Sequence, residues 1–210
     1  MKQILAFGDS LTWGANPQGG RYAFEDRWPS ALEAAFNDVR VIAEGLPGRT
    51  TCFDDRTANI DRNGANILPI LLASHSPLDL VVFMLGTNDL KPHVCGTAEG
   101  SAEGIERLVE IVTTFDYGKG RPAPEIVIVS PPHFRQPAPP MTTLMEGLEI
   151  DKSLLLAPLY KAVANKRKCL FFDAAGIAEA SLVDGIHLDA ANTRIIGTAI
   201  AEVLKKTDLI

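Results

Sequence analysis

The sequence predicts a single α/β domain over residues 1–210, built on a parallel sheet. Three observations carry that expectation. Short apolar runs rich in Val, Ile, Leu and Phe recur without strict alternation, the pattern of strands covered on both faces. Segments with apolar residues at helical spacing lie between them, and the two kinds alternate about five times. No internal repeat or linker-like composition shift divides the chain.

The first run, KQILAFG (2–8), stops at Gly8-Asp9-Ser10, where Asp and Ser are ordinary turn and cap residues ahead of a helix. RWPSALEAAF (27–36) then places Trp28, Leu32, Ala35 and Phe36 at helical spacing. VRVIAEG (39–45) reads as the second strand, and Gly45 and Gly48 let the chain turn sharply after it. NILPILLASH (66–75) carries an apolar stripe, with Pro69 tolerable in a first helical turn. LDLVVFMLG (78–86) is the third strand, and SAEGIERLVEIVTTF (101–115) sets Ile105, Leu108, Val109 and Val112 on one helical face. EIVIVSP (125–131) is the fourth strand. The Pro-rich SPPHFRQPAPPM (130–141) leaves its carboxyl end, where open α/β sheets bind ligands, and is expected to line a pocket. MEGLEIDKSLLLAPLYKAVANK (145–166) is helical in part, with a break expected near Pro158. CLFFDA (169–174) is the fifth strand. DAANTRIIGTAIAEVLKK (189–206) starts at an Asp189 N-cap and ends in lysines, as the helix dipole favours.

Bulk properties narrow the function classes. The chain has 210 residues, enough for one well-buried domain, and its 46% hydrophobic and 22% charged residues suit a globular protein. A formal charge of −6 gives no attraction to nucleic acid or an anionic membrane. The N-terminal apolar run is too short for an export signal, and nothing approaches the roughly 18 apolar residues of a membrane span. Cys52, Cys95 and Cys169 are widely spaced and odd in number, so reduced thiols in a cytoplasmic protein are expected. NIDRNGAN (59–66) half-matches a calcium loop, but Ile70 stands where a bidentate Glu is required. His75 and His93 lack metal-ligand spacing, and no metal or cofactor is expected.

Four pieces carry chemistry. Ser10 follows the first strand, and a serine hydroxyl needs a base to act as a nucleophile. Among the four histidines, His187 stands in LVDGIHLDAAN, three residues after Asp184. A carboxylate that close can fold back on one ring nitrogen and leave the other to take a proton. Asn88 in GTNDLK follows the third strand, where its amide could donate to an oxyanion. Gly48 follows the second strand and could offer its backbone amide. Each piece alone reads as well as a turn or cap. Together they fall where strand ends of a parallel sheet converge. Trp13 is expected to line the pocket beside Ser10, and Asp9 to hold the loop through hydrogen bonds.

In this order the pieces resemble the SGNH (GDSL) hydrolases. GDSLTWG is similar to the family's first block, GLPGRTT to the second, GTND to the third and DGIH to the fifth, from residue 7 to residue 187. Longer stretches, including NGANILP and LDLVVFMLGTNDLK, are similar to the arylesterase/acyltransferase branch. Pro47 stands where many members carry serine. The resemblance implies a three-layer flavodoxin-like fold with sheet order 2-1-3-4-5. It implies a triad of Ser10, Asp184 and His187, and an oxyanion hole from the Ser10 and Gly48 amides with the Asn88 side chain. Lys91 and Ile186 match pocket-side positions of that branch. The G-x-S-x-G elbow of the α/β-hydrolases is absent around Ser10. The implied activity is hydrolysis of short-chain acyl or aryl esters, with acyl transfer to alcohols or peroxide. The rivals are a carbohydrate-ester deacetylase and a non-catalytic flavodoxin-like binding module. The branch also implies a homo-oligomer, as large as an octamer, with contacts expected through the Pro-rich loop and segment 53–69.

Overall fold

In the computed structural model, which describes residues 1–207 and 209, the first apolar run becomes β1 (Lys2–Gly8). It lies between β2 (Val39–Gly45) and β3 (Leu80–Met84), and β4 (Glu125–Ser130) and β5 (Leu170–Asp173) continue beyond β3. The order is β2-β1-β3-β4-β5 and every neighbouring pair is parallel, as expected. The helices are α1 (Ser10–Trp13), α2 (Trp28–Ala34), α3 (Gly64–His75), α4 (Ala98–Thr114), α5 (Ile150–Leu154), α6 (Leu156–Arg167) and α7 (Ala190–Lys205).

Successive side chains of a strand point to opposite faces, so the central strands feed two cores. Leu5, Phe7, Val81, Phe83 and Ile128 pack with Leu68 of α3, Leu108 of α4 and Tyr160 of α6. Ile4, Ala6, Val82, Met84 and Val129 pack with Trp28 of α2 and Ile196, Ile200 and Leu204 of α7. Each large buried apolar side chain contributes roughly 1.5–3 kcal/mol relative to exposure. The sheet is thus held from both faces, and its carboxyl edge is a rigid platform.

Full burial holds for β3 and most of β1 and β4, whereas β2 and β5 are edge strands whose residues are half-buried or exposed. One helix expectation holds and one is corrected. Segment 145–166 breaks near Pro158, as expected. It opens with a single 3₁₀ turn at Met145–Gly147, and α5 gives way to α6 at Leu155. Pro158 then falls in the first turn of α6, where its missing N–H leaves no helical bond unmade. Pro69 lies inside α3 beyond its first turn, because the helix begins at Gly64, capped by the Asn63 side chain. Asp189 caps α7 as expected, its side chain accepting from the Asn192 N–H at 2.7 Å.

Register brings the loops together. Gly8 of β1 stands opposite Gly45 of β2 and Met84 of β3. The chain therefore leaves all three strands at one level, at the point where the winding reverses on either side of β1. That is the crevice where open parallel sheets bind ligands.

Candidate active site

Ser10 opens α1, one helical turn set directly on the end of β1. Asp9 caps this turn, its Oδ1 accepting from the Leu11 N–H at 2.9 Å. Asp9 is fully buried, and its Oδ2 has no hydrogen-bond partner among the described residues. Burial raises its pKa to about 6, against the lowering effects of the Leu11 N–H and the nearby His187, Arg49 and Lys91. The expectation that Asp9 holds the loop agrees with this geometry.

Ser10 Oγ lies 3.0 Å from His187 Nε2, and His187 Nδ1 lies 2.6 Å from Asp184 Oδ2. Asp184 Oδ1 accepts the backbone N–H groups of Ile186 and His187, both at 2.9 Å. This tight return needs Gly185 in the left-handed region, at φ +76°. Burial alone would raise the Asp184 pKa. The hydrogen bonds from the His187 ring and from the Ile186 and His187 amides outweigh it, and the net shift is downward. An ionised Asp184 can only accept, so Nδ1 carries the proton of a neutral ring. Nε2 is then the acceptor that faces the Ser10 hydroxyl.

Gly48 follows β2 at φ +81°, a conformation that a side chain would strain. Asn88 follows β3, and its Nδ2 donates to the Arg49 carbonyl at 3.1 Å, leaving a second N–H. Among the described residues, neither the Ser10 nor the Gly48 backbone N–H donates to a protein acceptor. Ser10, Gly48, Asn88 and His187 all line one cavity of about 230 Å³, and so do Lys91 and Ile186. Trp13 does not line it. The loop after α1 closes through the Ala15–Arg21 bridge, which carries the Arg21 guanidinium over the Trp13 ring at 4.8 Å. The Pro-rich loop 130–141 contributes nothing to the cavity wall either. It braces the triad turn instead: the Arg135 N–H donates to the Gly185 carbonyl at 2.9 Å, and the Ala138 N–H to that of Leu182 at 2.7 Å.

The sequence reading missed several residues at the site. Arg49 is buried, its Nη1 donates to the Gly8 carbonyl at 2.9 Å and to that of Glu44, and its guanidinium lies 4.3 Å over the Phe7 ring. Burial lowers its pKa to about 10. It ties the ends of β1 and β2 together while its own carbonyl orients Asn88. Asp89 is fully buried and accepts from the Thr51 N–H at 2.9 Å, the Thr51 hydroxyl at 2.7 Å and the Ser101 hydroxyl at 2.8 Å. Desolvation nevertheless raises its pKa to about 6. These bonds lock the Gly48 loop to the Asn88 loop. Pro47, Arg62, Thr87, Met145, Glu146 and Leu148 complete the wall, and Lys91 pairs with Glu146. Adjacency to Gly48 and Asn88 could have pointed to Arg49 and Asp89. Arg62 and residues 145–148 carried no such signal.

Fold and site together define a serine hydrolase on a three-layer α/β scaffold. The GDSL-like lipase/acylhydrolase family matches residues 6–195, and the chain belongs to that family as a serine ester hydrolase. Solved structures agree. The chain is 49% identical to a carbohydrate acetylesterase family member from Sinorhizobium meliloti, with 98% of each chain covered and a TM-score of 0.93. It is 42% identical to the aryl esterase of M. smegmatis over 98% of this chain and 99% of that one, with a TM-score of 0.86. A second carbohydrate acetylesterase from S. meliloti, Est24, is 41% identical over 98% of this chain and 99% of that one, with a TM-score of 0.88. A search of curated proteins finds no match.

Proposed function

We propose that this protein hydrolyses small, short-chain acyl and aryl carboxylic esters through an acyl-enzyme on Ser10. The observation that carries the proposal is the line from Ser10 Oγ to His187 Nε2 to Asp184, at 3.0 and 2.6 Å, opening onto a cavity of about 230 Å³. His187 takes the hydroxyl proton as Oγ bonds to the ester carbonyl carbon. The carbonyl oxygen gains the charge, and the Ser10 and Gly48 amides with the Asn88 amide receive it. The C–O bond to the alcohol then breaks, and the departing oxygen takes the proton from His187. In the second half His187 removes a proton from water, hydroxide bonds to the acyl carbon, and Ser10 leaves with the proton returned. Asp184 stays ionised throughout and stabilises the imidazolium.

The small cavity supports short acyl groups. The test is p-nitrophenyl acetate against the octanoate, with wild type and Ser10→Ala. Loss of acetate cleavage in the variant and weak cleavage of octanoate are expected, and equal rates in the two proteins would remove Ser10 from the mechanism. A second reading, removal of acetyl groups from carbohydrates, is favoured by the 49% identity to a carbohydrate acetylesterase family member. Acetylated sugars run beside aryl acetates separate the two.

Transfer of the acyl group to alcohols or peroxide follows from the same intermediate wherever the pocket excludes water. Alcoholysis products from mixed water–alcohol reactions test it, and hydrolysis alone would refute it. Assembly into a homo-oligomer is supported by exposed Ile60 and Ile70, and by Met141 at the end of the Pro-rich loop. Light scattering that returned a particle of 22.6 kDa at micromolar concentration would refute it. No helix among the described residues is long and apolar enough to cross a membrane. That is compatible with the cytoplasmic placement expected from the cysteines, which fractionation of the native cell would test.

A further inference from the structure

We infer that the cavity beside Ser10 takes esters that carry a carboxylate, and that Arg62 is the residue that selects them. The inference rests on the ester-hydrolase reading of the same site.

The chain as a whole carries a formal charge of −6, yet this cavity is lined by two basic side chains, Lys91 and Arg62, and by one carboxylate, Glu146. Lys91 spends its charge on Glu146. Arg62 has no such partner: among the described residues, no carboxylate forms an ion pair with it. Its Nη1 donates to the neutral Pro47 carbonyl, and its buried Nε has no acceptor. Its Nη2 makes no hydrogen bond within the described residues.

Acidic groups do face Arg62 from the other side. Asp54, Asp55 and Asp61 share with it a neighbouring cavity. Each is already engaged. Asp61 accepts from the Asn63 N–H at 2.8 Å and the Asn66 amide at 3.0 Å, and Asp54 accepts from the Asn63 amide at 2.8 Å. Asp55 accepts from the Thr57 N–H at 3.0 Å and hydroxyl at 2.6 Å, and faces His93 at 3.6 Å. Their charges lie near the guanidinium, but none of the three bonds to it, so Arg62 has no direct ionic contact in the wall.

Its backbone is anchored. The Arg62 carbonyl accepts from the Thr50 N–H at 2.9 Å and the Thr50 hydroxyl at 3.2 Å, which pins residue 62 to the loop after β2. The guanidinium rests on Gly48, in the space a side chain there would need. With Nη1 on Pro47 and Nε buried, Nη2 is the donor left to meet a carboxylate, held close to Gly48. An ester anchored there would bring its carbonyl under the amides that line the same cavity. The plain structural alternative is that Arg62 only clamps the Pro47–Gly48 turn. A clamp would affect charged and neutral esters alike.

The experiment compares each anionic ester with its neutral isostere. 4-Acetoxybenzoate against 4-acetoxybenzamide puts the charge on the alcohol half. Monophenyl adipate against its terminal amide puts it on the acyl half. Wild type, Arg62→Gln and Arg62→Lys are assayed, and the readout is the anion-to-amide ratio of kcat/KM. In at least one arm we expect Arg62→Gln to lower the ratio about tenfold, the scale of one partly exposed charge-assisted hydrogen bond. Arg62→Lys should lower it less, and added salt should lower it in wild type. An unchanged ratio in both arms overturns the inference. Should Arg62→Gln not fold, inhibition of wild-type p-nitrophenyl acetate cleavage decides. Stronger inhibition by 4-hydroxybenzoate or adipate than by the matching amides supports the inference, and equal inhibition overturns it. Wild type that cleaves p-nitrophenyl acetate without preferring any anion refutes the carboxylate site alone. Wild type that cleaves no ester refutes the hydrolase reading, and this inference with it.

Discussion

Replacing Asp9 with Asn should stabilise the protein at neutral pH and do far less at pH 4. Asp9 is fully buried with one oxygen unpartnered, and its pKa rises from 3.8 to about 6 on folding. The folded state therefore holds a proton that the unfolded chain releases first. Between these two values folding takes up protons, so stability falls as pH rises through the window, and the loss is complete above it. A rise of about two pKa units corresponds to about 3 kcal/mol at ~1.4 kcal/mol per unit. Asn keeps the Oδ1 that accepts the Leu11 N–H, so the cap of α1 survives. Removing the Asp9 charge also relieves Asp89, whose pKa it helps to raise. The assay is urea unfolding of wild type and Asp9→Asn at pH 4, 5, 6 and 7.5. The stability difference should move in favour of the variant by about 3 kcal/mol across the series, roughly 6–12 °C in melting temperature for a domain of this size. The cost of the new unpartnered amide is independent of pH and cancels in the trend. A difference that stays flat from pH 4 to pH 7.5 would refute the claim that Asp9 is a desolvated, uncompensated carboxylate.

Two further outcomes follow from the geometry around the cavity. Asn88→Ala removes one donor to the expected oxyanion and should lower kcat by roughly 10²–10³ with the fold intact; wild-type turnover in a folded variant would exclude that role. Tyr160 is fully buried, its hydroxyl donates to the Leu85 carbonyl at 3.0 Å, and it lies 2.6 Å from Ser101 Oγ. Tyr160→Phe takes this donor from the buried Leu85 carbonyl and should cost about 1–3 kcal/mol in urea unfolding, with a loss below 0.5 kcal/mol counting against the bond.

Much of the architecture was legible because its causes are local. A short β-branched run such as LVVFM, bounded by turn residues, suits an inner strand buried on both faces, and β3 lies where that run stands. The edge strands were over-read as fully buried, since strand order decides who lies outside, and a single apolar run does not encode order. The break near Pro158 was legible because proline is a strong local signal: the helix restarts at Leu156 and places Pro158 harmlessly in its first turn. At the site, Ser10, Gly48, Asn88, Asp184 and His187 were legible because each sits in a short polar block at a strand end or before the last helix. Trp13 lies outside the cavity wall, and Arg21, eight residues on, stacks over its ring, a contact that the local sequence does not announce.

The sequence by itself determined the kind of chemistry available: a hydroxyl, an imidazole, a carboxylate and amide donors, in an order that brings them to one sheet edge. Only the tertiary structure decided the character of the pocket. Its charge comes from Lys91, Arg62 and Glu146, which arrive from three separate segments. The raised pKa values of Asp9 and Asp89 arise from packing that removes water on every side. The physical reason is range. Turn geometry and hydrophobic periodicity act over a few residues and are written in neighbouring letters, whereas desolvation and charge compensation depend on which distant groups the folded chain brings into contact.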